Sequence, residues 1–538
     1  MPEKAFLRLR KKIQANEYGF ANNREPKRVM MSQNPTSISQ AAFDPSLIAQ
    51  VHPDNWTNPT PASKYNLLVV GGGTAGLVAS AIAAGLGARV ALIEKRFLGG
   101  DCLNFGCVPS KALIKSANMC FEVSESSQFG ASIEYPIGIN FKTVMDRVRN
   151  VRTQISKNDS AERFTRLGVD VFFGEALFTG PDRVEVKNAI LNFKKAVIAT
   201  GSRPKIPDIS GLTQAGFFTN ETIFEIKNLP RKLAIFGGGP IGCELAQAFK
   251  RLGSQVILFH KNNHILDRED PEAADILQNQ FLTEGIDLKL STSLINVSLN
   301  PHCKKIEFIQ DGQQKSVDVD EILVATGRSP NVEGIGLKNA RIEYDTIKGV
   351  FVNDYLQTTN PDIFSAGDVC MRHKFTHAAD AAARIVVENA LFRKSRTVSA
   401  LVIPWCTYTD PEIARVGIDE SEADKQGIRY KLFRVDMRDV DRSVTDGVET
   451  GFAKIITKAN TDKILGATIV GHCAGELIGE ITLAIKANIG LKSISSTIHP
   501  YPTKSLIIKR LADMYMGSRM TPNLKKLTRA WFGFRRIF

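Results

Sequence analysis

Two glycine signatures, Gly71-x-Gly73-x-x-Gly76 and Gly237-x-Gly239-x-x-Gly242, constrain this chain more than any other feature. Each is bracketed in the same order. Tyr65-Asn-Leu-Leu-Val-Val70 reads as a buried strand, a helix follows the first turn through Ala84, and residues 88–93 form a second strand ending at Glu94. Lys232–Phe236, a helix over Cys243–Leu252 and Gln255–Phe259 repeat the pattern around the second turn. A glycine triplet alone is weak evidence. In strand–turn–helix–strand order it predicts a βαβ dinucleotide unit, with pyrophosphate on the helix N-terminus and an acid about 20 residues on for a ribose hydroxyl. Glu94 is that acid in the first unit, whereas the second has His260 followed by Lys261. With no carboxylate to repel a 2′-phosphate and a cation to pair with it, NADPH is favoured over NADH there. The uncharged stretch Tyr65–Ala88 is long enough to suggest a membrane span, but its glycines and its change of period argue against one.

Just after the first unit lies Gly99-Gly-Asp-Cys-Leu-Asn-Phe-Gly-Cys-Val-Pro-Ser-Lys111. In a regular helix, positions five apart point ~140° away from each other. A disulfide between Cys102 and Cys107 therefore needs a distorted loop-to-helix entry, since its Cα atoms must lie within about 4.4–6.8 Å. Gly99, Gly100 and Gly106 relax such a backbone, and Pro109 suits a first helical turn. A helix N-terminus also stabilises a thiolate. With Lys111 close by, these flanks favour a redox-active pair over two unrelated buried cysteines.

The segment resembles the redox motif of the class I pyridine nucleotide–disulfide oxidoreductases, and the resemblance runs from about Tyr65 to about Ile507. It implies an α/β fold of two Rossmann-like domains, for FAD and then NAD(P)H, followed by an α+β dimerisation domain. Ala199-Thr-Gly-Ser-Arg203 and Ala325-Thr-Gly-Arg328, including Gly327, match the crossings that close the nucleotide domains. Asp362-Ile-Phe-Ser-Ala-Gly-Asp368 matches the second FAD motif, with Asp368 toward the ribityl chain. The implied division is an extension and linker over 1–64, a discontinuous FAD domain over 65–205 and 330–398, an NAD(P)H domain over 206–329, a dimerisation domain over 399–516 and a basic tail over 517–538. By the same resemblance Gly100 lies against FAD and Cys107 is the thiolate facing the flavin. Cys102 attacks substrate, and Lys111 sits near flavin N5, paired with Glu244. The active site is completed by the partner subunit of a homodimer, through the counterpart of His499-Pro-Tyr-Pro-Thr503.

That last segment is where the chain departs. Disulfide-reducing members read His-Pro-Thr-x-x-Glu; aligned on Pro502-Thr503, this chain has Tyr501 for the His and Leu506 for the Glu. Tyrosine there resembles mercuric reductase, in which exchange of Hg(II) between thiolates needs no imidazole to protonate a leaving thiol. The adjacent Cys-Cys pair that ends that family is missing, because the last cysteine is Cys473, and residues 1–64 contain none. Three readings remain: a mercuric reductase-like enzyme acting on a small thiol, disulfide or thiol-bound metal; a dihydrolipoamide dehydrogenase-type enzyme using His499 or solvent; and a membrane-associated redox partner or sensor.

Eight cysteines in 538 residues, without repeated spacing, give no extracellular disulfide framework. A net charge of +13 suggests nucleic acid until it is located. Residues 1–30 carry eight Lys/Arg against three acids and residues 507–538 eight against one, so the body is nearly neutral and no nucleic-acid partner is expected. Phe6–Ile13 could form a short basic helix; Leu524, Leu527, Trp531, Phe534 and Phe538 mark one face of another. The tails are thus candidates for peripheral membrane contact on an otherwise cytoplasmic protein, with organelle targeting disfavoured by Glu3, Glu17 and Glu25. No resident metal is expected.

Overall fold

The structure, a computed structural model, describes residues 43–132 and 138–536. Its first sheet places Val169–Phe173, Val90–Glu94, Tyr65–Val70 and Ala189–Ile198 side by side in parallel. Ile363–Ser365, from the Asp362–Asp368 motif, adds in parallel beside Ala189–Ile198. Leu67, Leu68 and Val69 are fully buried, as are Val90, Ala91 and Leu92. Consecutive burial means both faces are covered, which is why these strands read as unbroken apolar runs rather than alternating ones. One cover is the helix pair Thr74–Gly85 and Thr376–Leu391, whose facing positions are largely alanine (Ala75, Ala79, Ala83, Ala379, Ala382, Ala383). Small side chains let the two helices approach closely over the sheet.

One expectation is corrected here. Residues 43–64 are not a bare linker but part of this layer. The helix Pro45–Val51 sinks Leu47, Ile48 and Val51 into the same core as Phe43 and Phe173. Trp56 Nε1 donates to the Val171 carbonyl at 3.2 Å, and the Asn58 amide exchanges two hydrogen bonds with the Phe173 backbone. The sheet's outer strand would otherwise leave those groups in contact with water, and the polar, proline-rich sequence that binds them looks like a linker for the same reason.

The second unit is a parallel sheet ordered Asp287–Lys289, Gln255–Phe259, Lys232–Phe236, Glu321–Val324, flanked by an antiparallel sheet of Ser293–Leu299, Lys304–Gln310 and Gln313–Val319. Its first helix spans Pro240–Arg251, beginning at the proline, a residue suited to a first turn. Ser202–Pro204 and Arg328–Pro330 pair antiparallel where the chain leaves the first sheet and comes back to it. The third sheet is antiparallel, in the order Trp405–Thr407, Glu412–Gly417, Ile464–Gly471, Phe452–Lys458, Tyr430–Asp436. Helices Ala474–Lys486 and Leu506–Ser518 pack on it through Ile478, Ile481, Ile508, Leu511 and Tyr515.

The tail forms a helix, Pro522–Phe534, that buries no side chain. Phe538 and the basic segment Phe6–Ile13 lie outside the described residues. No helix among the described residues is long and apolar enough to cross a membrane.

Candidate active site

Both glycine turns owe their shape to backbone contact. Gly71 and Gly237 hold φ of 109° and 114°, and a Cβ there would sit 2.3 and 2.4 Å from the carbonyl oxygens of Ala199 and Ala325. A Cβ on Gly76 or Gly242 would meet the carbonyl of Gly71 or Gly237 at 1.8 or 1.9 Å. Gly73 and Gly239 are the N-caps and offer no capping side chain, so the leading N–H groups of each helix are left for a ligand. Gly100, at φ 56°, brings the redox segment within backbone contact of the first turn; its Cβ would lie 2.6 Å from Gly73 Cα. Gly327, at φ 121°, turns the second crossing. Helix starts without side-chain caps, set behind tight glycine turns, fit nucleotide pyrophosphates.

The residues closing the two turns differ in charge but not in local role. Glu94 Oε2 accepts from Gly72 N at 2.6 Å and Oε1 from Arg96 N at 2.6 Å, while burial raises its pKa. His260 Nδ1 accepts from Gly238 N at 3.0 Å. Its Nε2 faces Asp267 Oδ2 at 3.9 Å, and burial lowers its pKa. His260 is therefore a neutral acceptor turned inward, while Lys261 is exposed.

The cysteines sit across a broken helix. Cys102 lies in a single helical turn, Gly100–Asn104, which sequence reading did not anticipate, and Cys107 is the first residue of the helix Cys107–Ser124. The fully buried Asn104 closes that turn by donating to the carbonyls of Leu98 and Gly100. Cys107 Sγ lies 3.5 Å from Oγ1 of Thr376, the first residue of Thr376–Leu391, so two helix N-termini converge on one sulfur. Lys111 Nζ donates to Glu244 Oε2 at 2.7 Å and stands 4.5 Å over the Tyr408 ring; the other Glu244 oxygen accepts from Tyr408 N at 2.9 Å. A hydrogen bond from Cys102, then Thr376 and the Lys111 charge, pull the Cys107 pKa below the ordinary thiol value against burial. That same hydrogen bond, with burial, pushes Cys102 up.

Arg328 ties this site to both crossings. It donates from Nε to Ser202 Oγ at 2.7 Å and pairs with Asp101 at 3.2 Å, the residue before Cys102. It also lies 3.7 Å from Asp368, which accepts from Ser202 Oγ at 2.6 Å.

At the C-terminal segment Tyr501 is 72% exposed, and its hydroxyl donates to Asp441 Oδ2 at 2.9 Å. That carboxylate, which Arg510 also pairs, raises the phenol pKa. Leu506 supplies no polar group, yet a His–Glu pair exists: His499 Nε2 lies 3.0 Å from Glu480 Oε1 and Nδ1 3.2 Å from the Thr497 carbonyl. The structure thus brings Cys102, Cys107, Lys111 and Glu244 together within one subunit and leaves Tyr501 on the surface of the third sheet's domain. The roles of Thr376, Tyr408, Asp101, Asp441, Glu480 and Arg328 escaped sequence reading, each arising through a fold contact far along the chain, although Asp101 and Arg328 stood inside motifs already noted.

The chain matches the pyridine nucleotide-disulphide oxidoreductase family over residues 65–383 and that family's dimerisation domain over 403–512. It is 31% identical over 449 residues to a mercuric reductase of Lysinibacillus sphaericus, covering 83% of this chain and 82% of the relative. It is equally 31% identical over 455 residues to a dihydrolipoyl dehydrogenase of Mycoplasma pneumoniae, covering 84% and 97%. Among solved structures, the HOCl-induced flavoprotein disulfide reductase RclA of Escherichia coli superposes with a TM-score of 0.73 at 26% identity, over 84% of this chain and 99% of that one.

Proposed function

The chain belongs to the pyridine nucleotide-disulphide oxidoreductase family, and we propose that it is a homodimeric, FAD-dependent NADPH oxidoreductase that passes electrons through Cys102 and Cys107 to a thiol-bound metal. The setting of the thiol pair carries this reading: Cys107 opens a helix beside Thr376, one turn before the Lys111–Glu244 pair, with Cys102 in the short turn ahead of it.

FAD would be held by the Gly71–Gly73–Gly76 turn, Glu94, Gly100 and Asp368, with Lys111 against its redox face. When bound it supplies the means to accept a hydride and return two electrons to sulfur. NADPH would lie on Gly237, Gly239, Gly242 and Gly327. Because His260 is occupied by Gly238, discrimination of the 2′-phosphate falls to Lys261.

The chain's own groups do the rest. Lys111 holds the negative charge of the Cys107 thiolate, and Glu244, with both oxygens engaged, fixes the ammonium in place. Cys102 keeps its proton until substrate arrives. Hg(II) carried by two small thiols would pass to Cys102 and Cys107 by ligand exchange, the Cys102 proton leaving with one released thiol and the other departing as a thiolate. Disulfide reduction asks for more: an acid must protonate the departing thiolate, which typically contributes 10²–10⁴-fold. Tyr501, raised by Asp441, donates hydrogen bonds and makes a poor base for the reverse reaction. His499 has both ring nitrogens engaged within its own subunit, so serving a substrate would require giving up its contact with the Thr497 carbonyl.

Purified FAD-loaded protein should therefore reduce Hg(II)–thiol complexes faster than lipoamide or glutathione disulfide, and Tyr501→Phe should impair the metal reaction. Tyr501→His with Leu506→Glu should raise disulfide turnover by about tenfold or more. Wild-type lipoamide turnover near ~100 s⁻¹, high in the ordinary enzyme range, would favour the dihydrolipoamide dehydrogenase-type reading, for which the His499–Glu480 pair is the supporting observation; His499→Ala would then abolish it. The thiol roles have their own check. Cys102→Ser should show long-wavelength absorption of a thiolate beside oxidised flavin, at pH values below the ordinary thiol pKa of ~8.5, and Cys107→Ser should not.

A further inference from the structure

The helix Pro522–Phe534 begins ten residues beyond the end of the family match at residue 512, so the shared fold does not account for it. It is properly started: Thr521 Oγ1 accepts from Leu524 N at 3.3 Å and Pro522 takes the first position. Leu524, Leu527 and Trp531 fall within about 60° of one another around the axis at ~100° per residue. They are 40%, 67% and 57% exposed. Opposite them lie Lys525, Lys526 and Arg529, with the exposed Phe532 at their edge; Arg536 follows the helix, and Arg535 stands 5.9 Å from the Trp531 ring. No acid occurs after Asp513.

We propose that this helix docks the enzyme on an anionic lipid surface, its leucines and Trp531 entering the headgroup boundary while the cations meet lipid phosphates and carboxylates. Charge chooses among the occupants. A second copy of the helix packed symmetrically on the same stripe would cover the leucines and Trp531 but leave the cations of the other face without partners, since neither helix carries a carboxylate. Nucleic acid would satisfy the cations but leave Leu524, Leu527 and Trp531 in water. An anionic bilayer satisfies both faces, since apolar burial and electrostatic attraction act together on such helices. The anchor is reversible, as a short amphipathic helix lying in the headgroup boundary should be, and weakens with salt.

The test uses the full-length, FAD-loaded protein in flotation with vesicles of phosphatidylcholine alone or with about one-third phosphatidylserine. At least about tenfold more protein should float with the anionic vesicles. Lys525→Glu/Lys526→Glu/Arg529→Glu should abolish the difference, and Trp531→Glu should weaken it strongly, both with unchanged NADPH oxidation in solution. These point variants separate the tail from the basic N-terminal residues, which they leave intact. Equal flotation with both vesicle types, or flotation indifferent to the charge reversal, overturns the proposal. So does wild-type protein that ignores vesicles while Trp531→Glu lowers its oligomeric mass, which makes the stripe a subunit contact, or that ignores vesicles and binds duplex DNA through the same cations.

Discussion

The two nucleotide turns share one backbone design, and they differ in charge where the following strand ends, at Glu94 and His260. Gly71 and Gly237 are pressed against carbonyls 2.3 and 2.4 Å from where a Cβ would be, and Gly76 and Gly242 repeat the agreement at 1.8 and 1.9 Å. Even the middle glycines correspond, for a Cβ on Gly72 would meet Glu94 and one on Gly238 would meet His260. Yet one strand ends in a carboxylate and the other in an imidazole, and each accepts the middle glycine's N–H. The fold demands an acceptor at that point and is indifferent to its charge. Coenzyme choice is therefore free to vary there without disturbing the turn.

The hardest way to break this equivalence is at its backbone. Gly71→Ala and Gly237→Ala should each cost about 3 kcal/mol or more, from a strained positive φ and an overlap the crossing cannot relieve. The consequences should separate by site: chemical denaturation should find both variants destabilised, with flavin lost from the first and retained by the second, which fails instead to bind NADPH. Similar flavin loss from both would mean the turns are not independent.

Next in size is coenzyme preference. Wild-type kcat/KM should favour NADPH over NADH by about tenfold, ~1.4 kcal/mol. Lys261→Ala should erase most of that preference. His260→Glu should reverse it, because a carboxylate can accept from Gly238 N as Glu94 does from Gly72 N while repelling a 2′-phosphate. A wild type indifferent to the 2′-phosphate would show Lys261 to be only solvated, with Asp267, near His260, offsetting it.

The smallest effect is the most diagnostic, because the two turns should respond to pH with opposite sign. Burial lowers His260, so the unfolded chain binds the proton more readily; its contribution is complete above the unfolded value of ~6.5 and is lost as pH falls below it. Protonation would also remove the acceptor for Gly238 N. Burial raises Glu94, so the folded chain binds the proton more readily and stability declines as pH rises past the unfolded value of ~4.3. Denaturation across pH 4–8 should show the decline of stability above pH ~4.3 reduced in Glu94→Gln and the loss of stability below pH ~6.5 reduced in His260→Asn. Identical slopes in wild type and both variants would remove electrostatics from the comparison.

Much of this architecture could be read from residue order. Glycine spacing between apolar runs dictates the βαβ units, because a positive φ and sub-van-der-Waals backbone approach exclude every other residue. Gly99, Gly100, Gly106 and Pro109 likewise announce a broken helix at the cysteines, although the extra turn over Gly100–Asn104 depends on Asn104 finding carbonyls at Leu98 and Gly100. Residues 43–64 misled for a physical reason: they bind an edge strand through polar side chains, and polarity in sequence resembles solvent exposure.

What the sequence by itself determined is local: two glycine turns between strand and helix, a cysteine pair at a helix entry, a lysine one turn on, and Tyr501 and Leu506 in place of His and Glu about Pro502-Thr503. Only the tertiary structure decided which groups face one another. It placed Thr376 on Cys107 across 269 residues, Tyr408 on Lys111 and Glu244, Arg328 between Asp101 and Asp368, and Glu480 on His499. Backbone sterics act between neighbours in sequence and so leave a signature there. Electrostatic pairing acts across space, and the same lysine, histidine or aspartate reads as solvated until the fold supplies its partner.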